Sequence, residues 1–524
     1  MTRTYFGLRT RVLARFSALA GAVALVVGLT PITSTVASAS AAPQTYIVLA
    51  KQETVSARLL NQLRQQGGTI VASYDAIGVV IARSGDAQFA GRAKANGDVE
   101  DAANANALSF RLKPSPQDNG GDHGGNPGSK PAADSDPLSG LQWDMLQIHT
   151  PEAHAITGGS RSVLVGDIDT GLDYTHPDLA PNVDDRNSVN CLSGSPVPGK
   201  VAAMDDNGHG THTAGTIAAA SNGIGVVGVA PNVRIAGIKA GDSNGFFFPQ
   251  AVVCAFMWAG SHHFDVTNNS YFADPYYFNC PNGTAQERMI LKAEGRAIAY
   301  ATRKGVTNVA AAGNFADDLA NPTQDRQSPD NTVPVTRPVT RECLVIPVQM
   351  PGVIAVSATG NKLMKSFYSS YGMDVIEVAA PGGDSLLQKT AAAPNGRVLS
   401  TYPVSLKNTC LRPVVDPAGG PNAFYCYLQG TSMASPHVTG LVALIISKFG
   451  EMSSKEVLRH LERTADPIAC PTAAELAQYA FFPSANNDAP QTCTGPTSHN
   501  SWYGFGEINA LKAISGEGDD NQNN

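Results

Sequence analysis

Hydrophobic positions along the chain follow two periodicities, and the switches between them lay out the elements. Tyr46-Ile47-Val48-Leu49 is a short apolar run that reads as a strand. Val55, Leu59 and Leu63 recur four apart on one helical face, and Gly67-Gly68 stops that helix. Thr69-Ile70-Val71 and the stretch from Gly78 to Ala82 predict two more strands, and 86–94 a second helix. The order β-α-β-β-α-β over 43–112 is that of a small α+β, ferredoxin-like unit. On this pattern alone the unit could be any small binding domain.

A second pattern occupies 138–514. Ser162 to Ile168 is a continuous apolar run of the kind buried on both faces of a parallel sheet. The runs 233–238, 266–271, 307–312 and 352–358 read the same way, with helical patterns such as 286–304 between them. This predicts an α/β architecture: a doubly wound, mainly parallel sheet flanked by helices, with ligands at the carboxyl ends of its strands. Between the two units, 113–137 turns to Pro, Gly, Asp and Ser, a linker with too little apolar surface to fold. Asp118, Asp122 and His123 there read as solvated linker rather than as a metal site. Residues 515–524 form an acidic, polar tail.

Composition sharpens the picture at three points. In segment 1–42, Arg3, Arg9, Arg11 and Arg15 precede an apolar run from Ala18 to Leu29 and small residues through Ala39, the pattern of a signal peptide. The run is shorter than the roughly 20 residues a spanning helix needs, so the expected product is secreted and extracellular, with no membrane partner after cleavage. A formal net charge of −7 argues against nucleic acid as a partner. All eight cysteines lie beyond the first globular unit, and an even count in an exported chain reads as disulfides. Proximity favours Cys410 with Cys426 and Cys470 with Cys493, each stapling one loop. Zinc is the rival, but the sequence holds no Cys-x-x-Cys pair.

Three segments of the second unit place a reactive side chain where such a sheet presents it. Asp167-Ile168-Asp169-Thr170-Gly171 ends a buried strand. Asn207-Gly208-His209-Gly210-Thr211-His212 opens a helix with His209 at its start, and Gly430-Thr431-Ser432-Met433-Ala434-Ser435-Pro436 opens another with Ser432. A serine at a helix N-terminus has free backbone N–H groups and the positive dipole end beside it, which suits developing negative charge.

These motifs, in the order Asp, His, Ser, resemble those of the subtilase family of serine peptidases. The resemblance runs from about Gln142 to Ala510 and ends in Tyr503-Gly504-Phe505-Gly506. It implies that Asp169, His209 and Ser432 form a catalytic triad working through an acyl-enzyme intermediate. It also implies that Asn314, in Ala311-Ala312-Gly313-Asn314, joins the Ser432 N–H as oxyanion donor. No cofactor is expected for catalysis. Ser270, in Asn268-Asn269-Ser270-Tyr271-Phe272, matches the strand that pairs with a peptide substrate, but Phe272 stands where the family usually has Gly. Asp178 and Asn222, with Gln142 as a weaker third, resemble residues of a structural calcium loop; the alternative is a surface turn without an ion. The N-terminal unit resembles the inhibitory pro-domain, a transient inhibitor and folding aid. Expected partners are protein and peptide substrates, and the expected state is a monomeric, autoprocessed zymogen product.

Several residues compete with this reading. Strand alternation puts Asp167 on the same face as Asp169, and only the Asp-Thr-Gly match selects Asp169. His212 and His437 read as packed helix residues. Gly241-Asp242-Ser243-Asn244-Gly245 fits the nucleophile elbow of α/β-hydrolases, but Phe246-Phe247-Phe248-Pro249 follows it instead of an immediate helix. A proprotein-processing peptidase, a catalytically silent binding protein and a lipase or esterase are the alternative functions.

Overall fold

The computed structural model describes residues 42–105 and 136–516, all within one unit, 42–524. The expected export segment, nearly all of the linker and most of the acidic tail fall outside the described residues.

The N-terminal unit folds as the pattern predicts: β1 (Gln44–Ala50), α1 (Ala57–Gln65), β2 (Thr69–Tyr74), β3 (Val79–Ser84), α2 (Phe89–Lys94) and β4 (Val99–Asn104), in the antiparallel order β2-β3-β1-β4. Leu59 and Leu63 are the buried stripe of α1, which Ser56 caps by accepting the Leu59 N–H.

The second unit is built on β5 (Leu164–Asp169). Next in the chain come α3 (His209–Ala218), β6 (Arg234–Lys239), α4 (Pro249–Ser261), β7 (Val266–Asn269), α5 (Ala285–Arg303) and β8 (Thr307–Ala311). β9 (Val353–Thr359), β10 (Val378–Pro381), the antiparallel pair β11 (Val398–Thr401) and β12 (Phe424–Leu428), and α6 (Thr431–Phe449) follow. The central sheet runs β10-β9-β8-β7-β5-β6, all parallel, and two short strands at 189–190 and 197–198 complete its edge. The strands are buried on both faces, which is why most of them read as largely apolar runs; β7, Val266-Thr267-Asn268-Asn269, is buried yet mostly polar. α3 and α6 cover one face; α4 and α5 cover the other. Strand order reverses at β5, where the chain goes first to β6 and later to β7 on the opposite side. The reversal opens a crevice at the carboxyl ends of β5 and β7.

The outer face of α5 receives the N-terminal unit. Arg288, Lys292 and Arg296 recur four apart, and they meet acidic side chains of β4: Lys292 and Arg296 on Glu100 at 2.6 and 2.5 Å, and Arg288 on Asp101 at 3.6 Å. Arg296 also donates to the Ala50 and Ile77 carbonyls, both at 3.2 Å. Ile47, Leu49, Val79 and Ile81 join the apolar core shared with α4 and α5.

The eight cysteines form four disulfides: Cys191–Cys254, Cys280–Cys343, Cys410–Cys426 and Cys470–Cys493. The two loop staples expected from proximity are among them. The other two each span 63 residues, which local spacing does not display.

Candidate active site

Asp169 ends β5 with its carboxylate fully buried, and His209 opens α3 beside it. Close approach of helix and strand requires Gly210: a Cβ there would lie 2.2 Å from the Gly171 carbonyl oxygen and 3.1 Å from Asp169 Cβ. The imidazole Nδ1 sits 2.8 and 3.0 Å from the two Asp169 oxygens. That contact fixes Nδ1 as the protonated nitrogen and leaves Nε2 as the basic edge. Burial pulls the His209 pKa down, but the Asp169 charge and its hydrogen bond outweigh this and hold it above the ordinary 6.5. The ring remains 27% exposed, open to a reactant.

Asp205, which the motif reading passed over, organises this corner. Its buried carboxylate accepts from the Gly208 and Thr211 N–H groups at 2.9 Å, capping α3, and from the Thr211 hydroxyl at 2.6 Å. It also accepts the hydroxyl of Thr170, the residue after Asp169, at 2.9 Å. Thr170 Oγ1 in turn accepts the Gly210 N–H. A carboxylate at a helix N-terminus is the ordinary local signal for this role, but the tie to Thr170 is non-local.

Ser432 opens α6, where the first-turn amides have no intrahelical acceptor. Pro436 sits four residues on and has no N–H to give the Ser432 carbonyl. The Ser270 hydroxyl supplies that bond instead, at 3.1 Å, and so joins the end of β7 to the nucleophile turn. The Ser432 hydroxyl donates to the Ser270 carbonyl at 3.2 Å rather than to His209. The acid–imidazole half of the expected triad is therefore formed, and the imidazole–alcohol half is not. Asn314 follows β8. Its Oδ1 accepts from the Thr431 N–H and hydroxyl at 2.9 and 3.0 Å, leaving the Nδ2 edge as a donor beside the Ser432 turn.

Other sequence expectations resolve plainly. The 266–271 run pairs only through Asn269, so Ser270 lies just past the strand. Phe272, half-buried, packs edge-on against Tyr277 and Phe315, the residue after Asn314. His212 is buried and donates to the Cys426 carbonyl on β12 at 3.0 Å; burial drives its pKa down to about 3. His437 is buried between the Met433 carbonyl and Asp144. The Gly241–Gly245 stretch is a turn, with Ser243 exposed and the helix starting only at Pro249. None of these three joins the site.

The residues expected as calcium ligands are engaged with the 222–227 loop and its neighbours. Asn222 Oδ1 accepts the Ile224 N–H at 3.1 Å, and Gln142 closes two hydrogen bonds onto the Val227 backbone. Asp178 Oδ2 accepts from Val226 N–H and the Tyr425 hydroxyl, which leaves only Oδ1 buried and unpartnered. Among the described residues no three His, Cys, Asp or Glu side chains gather into a cluster that could hold a metal ion. Calcium takes roughly six to eight oxygens, many of them backbone or amide carbonyls, and a structural calcium ion is not shown.

Comparisons with known proteins agree with the geometry. The model of the subtilase family matches residues 160–506. An alkaline protease of Alkalihalobacillus alcalophilus is 30% identical over 63% of this chain and 65% of its own, so the chain covers a little under two thirds of that relative. Subtilisin BL of Lederbergia lenta is 30% identical over 63% of this chain and 92% of its own. The solved structure of the epidermin leader peptide processing serine protease from Staphylococcus aureus shares the fold. Its TM-score is 0.63 at 22% identity, over 91% of this chain and 98% of that one.

Proposed function

The chain belongs to the subtilase family, and from that premise we propose that it is a secreted serine endopeptidase made as an autoprocessed zymogen. The observation that carries this reading is the buried Asp169 carboxylate holding His209 Nδ1 at 2.8 Å at the mouth of the sheet crevice. In the proposed reaction an extended substrate strand adds beside Ser270 and takes its carbonyl. The Ser432 hydroxyl, released from that carbonyl, turns to His209 Nε2 and gives up its proton as Oγ attacks the scissile carbonyl. Asp169 stabilises the imidazolium that results. Negative charge on the tetrahedral oxygen is met by Asn314 Nδ2 and the Ser432 N–H; losing one such donor costs about 10²–10³ in turnover. His209 then protonates the leaving amine, and water resolves the acyl-enzyme by the same route. Subtilases need no catalytic cofactor. A structural calcium ion would have Asp178 Oδ1 as its one uncommitted carboxylate oxygen, and the proposed function does not draw on it.

The N-terminal unit is proposed to be the pro-domain, docked by its acidic β4 on the basic stripe of α5 and released after self-cleavage in the linker. The described residues contain no helix long and apolar enough to cross a membrane. The protein is proposed to be an exported monomer acting on protein substrates. Expression of wild type beside Ser432→Ala tests the reading. The wild type is expected to shed residues before the linker and to label with a fluorophosphonate, while Ser432→Ala stays full-length and unlabelled. Equal processing of the two would remove the self-maturation claim, and an unlabelled wild type the peptidase claim.

A further inference from the structure

Directly behind Asp169, on the same face of β5, lies a second fully buried carboxyl that the reaction above does not use: Asp167. Asn268 Nδ2 donates to its Oδ1 at 2.9 Å. Its Oδ2 is 2.8 Å from the hydroxyl of Thr213, which sits one turn after His209 on α3. The same hydroxyl lies 3.0 Å from the Gly210 carbonyl. A hydroxyl owns one proton, and a carbonyl can only accept. The His209 carbonyl lies 3.4 Å from the same hydroxyl. Full hydrogen bonds to Gly210 and Asp167 form at once when the Thr213 proton goes to Gly210 and a proton on Asp167 goes to Thr213; an ionised Asp167 would have to share the single Thr213 proton with these carbonyls.

The surroundings agree. Asp167's own strand presents the Asp169 carboxylate, and α3 presents His209, already engaged by Asp169. β7 and α6 contribute only neutral groups, Asn268 and the Ser435 hydroxyl that bonds it, and β6 places Gly237 opposite. An ionised Asp167 would be a buried anion without a counter-ion, next to another anion. Burial first, and the Asp169 charge second, push its carboxyl well above the usual range.

We propose that Asp167 is a positioning residue that works as a neutral acid, passing a hydrogen bond through Thr213 to the first turn of the His209 helix. The kinetic consequence rests on the peptidase reading; the protonation itself does not.

Asp167→Val removes the donor, whereas Asp167→Asn keeps a neutral one at the same place. In the matured enzyme Asp167→Val is expected to lower kcat about tenfold with KM unchanged. Asp167→Asn should recover most of that loss and leave the acid limb of kcat/KM where the wild type has it. A limb lower by about one pH unit in Asp167→Asn would show that a negative charge had been supporting His209, and overturns the neutral acid. Wild-type kcat in Asp167→Val overturns the positioning role. Thr213→Val should cost as much as Asp167→Val, and the double variant no more than either; additive losses overturn the relay. If Asp167→Val does not fold, Thr213→Val and Asp167→Asn still decide. Infrared difference spectra of the full chain carrying Ser432→Ala provide a readout that needs no activity. A protonated-carboxyl band should be present at neutral pH and lost on adding Asp167→Asn, and an unchanged spectrum sinks the proposal even if the peptidase reading stands.

Discussion

At His209 two opposed effects act on one ring, and their balance is measurable. Burial disfavours the imidazolium, while the Asp169 carboxylate at 2.8 Å favours it and prevails, so the pKa lies above 6.5. The proposed base must be neutral, so activity is lost as pH falls through that raised value. The acid limb of kcat/KM is therefore expected to have its midpoint above 6.5, and Asp169→Asn to move it lower while reducing kcat by about 10⁴. A wild-type midpoint at or below 6.5 would show that Asp169 does not hold the ring as described. The positions of Asp169, His209, Ser432 and Asn314 at element ends were readable because each sits in a contiguous motif. Asp205 was not: its capping role is local, but its grip on Thr170 crosses 35 positions and leaves no spacing to read.

At the scale of elements, legibility followed burial. β5, β6, β8 and β9 are buried along nearly their whole length, and burial on both faces makes them mostly apolar, so their positions follow from the pattern. The loop after β7 obeys no such rule. Its path from Phe272 to Cys280 is set by side chains meeting across it, including Tyr277 against Phe315 and the bond from Cys280 to Cys343. The calcium expectation is harder to read for a related reason, because a matching pair of residues does not say where the backbone oxygens of a loop point. Phe272 is the informative departure. It lies two residues past Ser270 and edge-on to Phe315, the residue after Asn314, so it packs an aromatic ring beside the segments proposed to pair with substrate and to bind the oxyanion. We predict a narrowed primary pocket that favours small side chains before the scissile bond. Phe272→Gly should shift a peptide-library profile toward large apolar residues. A wild-type profile already led by aromatic residues would rule the narrowing out.

For the whole molecule, buried carboxyls and buried imidazoles set opposite pH dependences of stability. Asp178, Asp317, Glu377 and Glu507 are each pushed up to about 7, burial being the first cause. The fold thus takes up protons at these sites, and stability drops as pH rises from their ordinary values near 4 through about 7. His176 and His212 are held down to about 4 and about 3 by burial, so they make stability climb with pH until the ordinary histidine value near 6.5. Below 6.5 the two sets oppose each other. Above it the imidazoles have finished, the carboxyls have not, and His209, raised above 6.5, adds to the fall. The thermal midpoint of the full chain carrying Ser432→Ala, which avoids autolysis, is therefore expected to decrease between pH 6.5 and 8. Glu507→Gln keeps an oxygen for the Thr359 hydroxyl and for Gln147 Nε2 while removing one titration, and should flatten that decrease. A midpoint that rises over the same interval would mean that the buried acids enter the fold already ionised, each neutralised by a charge the surrounding residues do not supply.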